Sequence, residues 1–163
     1  MEDEKDGRPA GLSASKRRGG RRLARQMALS VLYQLDFRPE LTPAAALDTA
    51  AAEAGGDPAS KEFALQLVKG VREQVGYFDE LIGRYAQNWS LERVATLDRN
   101  ILRLTLFEMV VGREVPPRVC IDEAVELAKR FGTEDSYRFV NGILNRIKED
   151  LESGRLTSPR KDP

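Results

Sequence analysis

The 163-residue chain contains no histidine, one cysteine (Cys120) and one tryptophan, and aromatic residues make up only 7% of it. The missing imidazole removes Ser-His-Asp triads, Cys-His dyads and histidine metal sites together. A lone cysteine builds neither a thiolate cluster nor an internal disulfide, so zinc chemistry is excluded and no metal or cofactor is expected. No apolar run approaches the ~20 residues that a membrane span needs. The opening MEDEKD is acidic where a signal peptide would be basic and then apolar. These absences lead to the expectation of a cytoplasmic, reduced protein away from the membrane.

Charge is present in equal amounts of each sign, 26 Lys and Arg against 26 Asp and Glu, but it is unevenly placed. Residues 1–6 hold four acids and one lysine. Residues 7–25 hold Arg8, Lys16, Arg17, Arg18, Arg21, Arg22 and Arg25 with no acid, and the remainder holds 18 basic and 22 acidic residues. The neutral total therefore conceals a basic arm on a mildly acidic body. Length and apolar content suit one closed core and leave no room for a second catalytic domain.

Residues 1–20, rich in Gly, Ser, Pro and charge, show no apolar periodicity and are expected to form a disordered arm. An all-helical domain follows over 21–152, with a flexible tail at 153–163. Leu23, Met27, Val31 and Leu35 recur every four residues beside Ala24, Ala28 and Leu32, the stripe of a first helix. Its first turn and a half would carry Arg21, Arg22 and Arg25, at the end of the helix dipole that disfavours cations. A second helix runs from Ala44 to Ala54. A third opens at the Asp57-Pro58 pair and continues to Gly76, and a fourth carries Phe78, Leu81, Ile82 and Tyr85 to near Asn88-Trp89.

Ser90 suits the cap of a short turn. The segment from Thr96 to Gly112 is apolar on nearly every side and reads as a central helix wrapped by the others. The Pro116-Pro117 pair separates it from a sixth helix over Val119–Phe131, stopped by Gly132, and a seventh spans roughly Glu134 to Leu151. With no alternating β-branched stretch, the fold class is all-α, with about seven helices.

Two places suggest binding chemistry. The arginine-rich arm running into the first helix fits contact with nucleic-acid phosphates, with a solubility tail as the bland alternative. At the start of the last helix, Asp135 and Ser136 suit capping, while Tyr137, Arg138 and Phe139 suit either base stacking or burial. The carboxylate pairs Asp122-Glu123, Glu134-Asp135 and Glu149-Asp150 lack a third partner and read as caps and solvated faces. There is no Gly-rich phosphate loop after a strand and no HExxH, so no enzyme is expected. Cys120, between two apolar residues, reads as a small buried side chain.

Three blocks carry a resemblance: RRLARQMALSVLYQLD at 21–36, LDRNILRLTLFEM at 97–109 and VPPRVCIDEAVELAKRFGTEDSYRFVNGILNRI at 115–147. Together the chain resembles NusB, the bacterial transcription antitermination factor family. The resemblance implies two packed helical bundles without catalytic activity. It also implies binding of single-stranded boxA RNA in ribosomal RNA operon leaders together with the ribosomal protein NusE, within a termination-resistant RNA polymerase complex. By position it places Arg21, Arg22, Arg25, Asp135 and Phe139 on the RNA side, and Tyr33 and Asp98 toward NusE. A NusB-like domain of an RNA methyltransferase and a helical homodimeric interaction module are the alternative readings.

Overall fold

The computed structural model describes residues 10–87 and 90–159, with side chains from Gly19 onward. Among these residues there are seven α-helices and no strand: α1 (Ala10–Phe37), α2 (Pro43–Ala54), α3 (Pro58–Glu73), α4 (Val75–Tyr85), α5 (Thr96–Leu106), α6 (Pro117–Phe131) and α7 (Glu134–Glu152). A short 3-10 turn at Leu91–Arg93 precedes α5, and α5 runs directly into a π-helical segment at Phe107–Gly112.

Helices α1, α2 and α3 pack on one another, and α4, α6 and α7 gather around α5, which also touches α1 and α3. This is the expected pair of bundles, sharing one core. The α1 stripe enters that core through Ala24, Met27, Ala28, Val31, Leu32 and Leu35, while Ile101, Leu102, Leu104 and Leu106 of α5 are fully enclosed. Burial of this kind is worth roughly 1.5–3 kcal/mol per large apolar side chain, and it supplies most of what holds the helices together.

Local chemistry sets most boundaries as expected. The Asp57 carboxylate accepts the Ser60 N–H at 2.8 Å and Pro58 occupies the first turn of α3. Thr42 caps α2 in the same way, through the Ala45 N–H at 3.3 Å. Several boundaries differ from the sequence reading. Helix α3 ends at Glu73 rather than Gly76, and α4 opens at Val75. Helix α1 begins at Ala10 rather than Arg21, so the arginines lie well inside it and escape the unfavourable end of its dipole; residues 1–9 are outside the described part. Helix α4 ends at Tyr85, and Asn88-Trp89 also lie outside the described residues. Helix α6 begins at Pro117 rather than Val119, because proline at the first helical position gives up only an N–H that the helix leaves unpaired anyway.

The π-helical segment was not legible in the sequence, and it does two things. It lays the Phe107 ring on α3 at Gly70, where an added Cβ would fall 2.2 Å from the ring. Glycine is required there by close approach. It also turns Glu108 into the protein, where Arg25 of α1 donates from Nε to Oε1 at 2.7 Å and from Nη2 to Oε2 at 2.9 Å. Both side chains are over nine-tenths buried, at 8% and 7% exposure. Residues 153–159, read as the start of a flexible tail, lie against the same segment: Leu156 is buried and the Ser158 hydroxyl donates to the Val110 carbonyl at 2.6 Å.

Two stability outcomes follow from this packing. Gly70→Ala is expected to lose about 1–3 kcal/mol through overpacking against Phe107, measured by urea unfolding, with part of the loss recovered by Phe107→Leu. Glu108→Ala strands a buried guanidinium and is expected to cost about 3–5 kcal/mol, whereas the paired replacement Arg25→Met with Glu108→Leu restores most of it. A loss below about 1 kcal/mol for Glu108→Ala would remove the ion pair from the account of the fold.

Candidate nucleic-acid and partner interface

Three arginines on one helix end up in three different environments. Arg21 and Arg25 are four residues apart and share a face of α1, and both lie over Phe63 of α3, at 4.6 and 5.8 Å from the ring centroid. Arg21 remains exposed on that ring, whereas Arg25 is buried on Glu108. Burial pulls the Arg25 pKa down, but the hydrogen bonds and charge of Glu108 outweigh it and the net shift is upward. Arg22 points outward and its Nε meets both oxygens of Glu123 on α6, at 3.1 and 3.2 Å. The arginine-rich motif is thus one anchoring residue, Arg25, and two outward-facing ones, Arg21 and Arg22. Together with Val115, Val119 and Glu123 they line an open cleft of about 440 Å³.

Cys120 is buried beside this cluster, as its sequence setting suggested, and burial followed by the Glu108 charge pushes its thiol up to about 12. It is a packed, inert side chain.

Helix α6 leads from the cleft to the second group of residues. Glu123 and Phe131 are separated by roughly 12 Å along its axis, and Gly132 then turns the chain into α7. A Cβ on Gly132 would meet the Ser136 hydroxyl at 2.6 Å, so the glycine is what lets α7 start so close. The Thr133 N–H donates to the Ser136 hydroxyl at 3.0 Å, closing the first turn. That start was read correctly as a capped helix, but Thr133 and Ser136 provide the cap and Asp135 stays exposed in the first turn.

Phe139 and Tyr137 are half-buried and pack their inner edges against the core, which leaves an outer edge of each at the surface. Tyr137 has two cations near its ring, with Lys129 Nζ at 5.4 Å and the Arg138 guanidinium at 5.9 Å from the centroid. Phe131 is exposed beside Arg130. The α6–α7 corner is therefore basic and aromatic at once.

Asp98, at the first turn of α5, is buried, and its Oδ1 has no hydrogen-bond partner among the described residues. Burial pushes its pKa above the ordinary carboxylate value, while the Ser136 hydroxyl pulls it back. The residue expected toward a protein partner and the residues expected toward RNA thus meet at the start of α7. Tyr33 lies on the other half of α1, 41% exposed, with its ring 5.0 Å from that of Phe37, which is itself 61% exposed.

Sequence reasoning overlooked Phe37, although its spacing of four residues from Tyr33 at the end of an amphipathic helix was the available signal. It also overlooked a polar network that begins at Asp36, next to Phe37 in the chain. Asp36 accepts from the Asn100 amide at 2.8 Å, Arg103 donates to Asn100 at 3.1 Å, and Arg103 forks onto Asp79 at 2.7 and 2.8 Å. Among the described residues no cluster of carboxylates and thiol could hold a metal ion, and no helix is long and apolar enough to cross a membrane.

Comparison with known proteins agrees with this architecture. The NusB family profile matches residues 22–149. The transcription antitermination protein NusB of Desulforamulus reducens is 46% identical over 133 residues, covering 82% of this chain and 92% of the relative. The structure of T. maritima NusB superposes with a TM-score of 0.74 at 40% identity, covering 83% of this chain and 97% of that one. A crystal structure of the antitermination factors NusB and NusE in complex with double-stranded RNA contains a chain with a TM-score of 0.73 at 28% identity, over 81% of this chain and 98% of that chain. With a matched profile spanning most of its length and relatives this similar, the chain belongs to the NusB family.

Proposed function

We propose that this protein is a non-enzymatic, cytoplasmic transcription antitermination factor that binds boxA RNA of ribosomal RNA operon leaders together with NusE, and so helps assemble a termination-resistant RNA polymerase complex. The observation that carries the reading is the outward pair Arg21 and Arg22, held at a fixed register on α1 because Arg25 is locked onto Glu108. A buried anchor turns two surface arginines into a defined phosphate-binding edge rather than a loose basic tail. The related structure with NusE and RNA supports the choice of partners.

Charge alone does not distinguish one RNA from another. That task falls to the α6–α7 corner, where the outer edges of Phe139 and Tyr137, the cations Lys129 and Arg138, and the exposed Asp135 carboxylate offer stacking and a hydrogen-bond acceptor for a base amine. Asp98, beside Ser136, suits a cationic or N–H donor brought by NusE, since its unpartnered oxygen is already desolvated. Tyr33 and Phe37 add exposed aromatic area on the NusE side.

Fluorescence anisotropy with a short boxA-like RNA and its scrambled counterpart, single- and double-stranded, with and without NusE, tests the proposal. Preference for the single-stranded boxA-like sequence, sharpened by NusE, is the expected outcome; equal binding to every RNA would contradict it.

Asp98→Asn separates a partner contact from a structural one. Because burial raises the folded-state pKa of Asp98, the native state holds that proton more tightly than the unfolded chain, and the parent gains stability as pH falls through the folded-state value. The variant is expected to lack that gain and to be at least as stable at pH 7, yet to bind NusE roughly tenfold more weakly or worse. Unchanged NusE affinity would take Asp98 out of the interface.

A further inference from the structure

The cleft between α1 and α6 contains a carboxylate where an anion would be expected to bind. We propose that Glu123 is a built-in competitor for Arg22: in the unbound protein its carboxylate occupies the guanidinium edge that an RNA phosphate takes, and it transfers to Arg25 when the phosphate arrives. The inference rests on the RNA-binding reading above and names how that same site is gated.

Three features of the cleft carry it. First, the pair is a bifurcated contact, exposed on the arginine side: the single Arg22 Nε–H is shared between both Glu123 oxygens at 3.1 and 3.2 Å, and the Arg22 side chain is 59% exposed against 17% for Glu123. An exposed pair of this kind is worth little to stability, so it yields to a competing anion at small cost. Second, Glu123 has somewhere to go. Arg25 gives Nε and Nη2 to Glu108, which leaves Nη1, and that nitrogen stands 3.8 Å from Glu123 Oε1. A short side-chain adjustment converts this long approach into a hydrogen bond, so the carboxylate released by Arg22 is not stranded. Third, the cleft is open and floored by Val115 and Val119, leaving room for a phosphodiester to approach Arg22 from the solvent side.

The exchange leaves no charge unpaired: Arg22 with Glu123 becomes Arg22 with phosphate, and Glu123 closes its long approach to the residual donor of Arg25. It also explains why Arg25 carries a second carboxylate neighbour when Glu108 alone satisfies two of its nitrogens. A consequence is that Glu123 lowers the affinity of the basic edge for any polyanion by a small factor that is blind to sequence.

The test compares the full-length parent with Glu123→Gln, Glu123→Ala and Glu126→Gln in binding to a boxA-like single-stranded RNA and its scrambled form. Glu126 is exposed on the same helix and makes no ion pair among the described residues, so its neutralisation reports the bulk charge effect alone. Removing the competitor is expected to raise affinity about two- to fivefold for both RNAs, more than Glu126→Gln does. The gain should disappear when Glu123→Gln is combined with Arg22→Gln.

Unchanged or weaker binding by both Glu123 variants, an equal gain from Glu126→Gln, or a gain that survives in the Arg22→Gln background would each overturn the exchange. Because the exchange is blind to sequence, failure to prefer boxA-like over scrambled RNA overturns the proposed function and leaves this comparison standing. A parent and variants that bind neither RNA overturn both.

Discussion

The buried pair between Arg25 and Glu108 is the constraint from which the rest of the interface follows. Two charges taken out of water lose several kcal/mol each in hydration, and only a geometry with paired hydrogen bonds returns it. Here the geometry is available because α5 opens into a π-helical segment, which turns Glu108 inward at the level of Arg25 while laying Phe107 on Gly70. The pair therefore ties α1, α3 and the central helix at one point. Once Arg25 is fixed, helical geometry places Arg21 on Phe63 and Arg22 at the cleft with Glu123. An apolar substitute would hold the helices together equally well, but it would not have offered Glu123 a second donor.

A second polar constraint acts at the opposite half of α1. Asp36, Asn100, Arg103 and Asp79 form a connected set that joins α1, α4 and α5. Apolar stripes alone tolerate sliding of one helix along another, whereas a network of this kind is satisfied at one register only. The two constraints bracket α1, and both of its faced surfaces, basic at one half and aromatic at the other, inherit their position from them. Gly132 and Ser136 do the same for α7, bringing its first turn beside Asp98.

Much of this was legible in the sequence. The stripe from Leu23 to Leu35, the Asp57-Pro58 cap and the all-round apolar character of the central helix specify helices, order and core, because each depends on local pattern. What was not legible depends on contacts between distant residues. Arg25 looks like its neighbours Arg21 and Arg22 until Glu108, far along the chain, is placed against it. Nothing local marks residues 107–112 as π-helical, and Pro116-Pro117 reads as a break although Pro117 opens a helix. Likewise the family resemblance gives the candidate site residues by their position along the chain, but not which of them face solvent.

In the proposed division of labour among the three arginines, Arg25 builds the edge and Arg21 with Arg22 meets the phosphates. It is tested most directly by the salt dependence of RNA affinity in the paired variant Arg25→Met with Glu108→Leu, set against Arg21→Gln with Arg22→Gln. The first is expected to leave the log-log salt slope near that of the parent, while the second makes it shallower by about 1.4, close to two single-strand phosphate contacts. A slope that falls by about 0.7 on replacing the buried pair would show Arg25 itself on the phosphate and contradict the account.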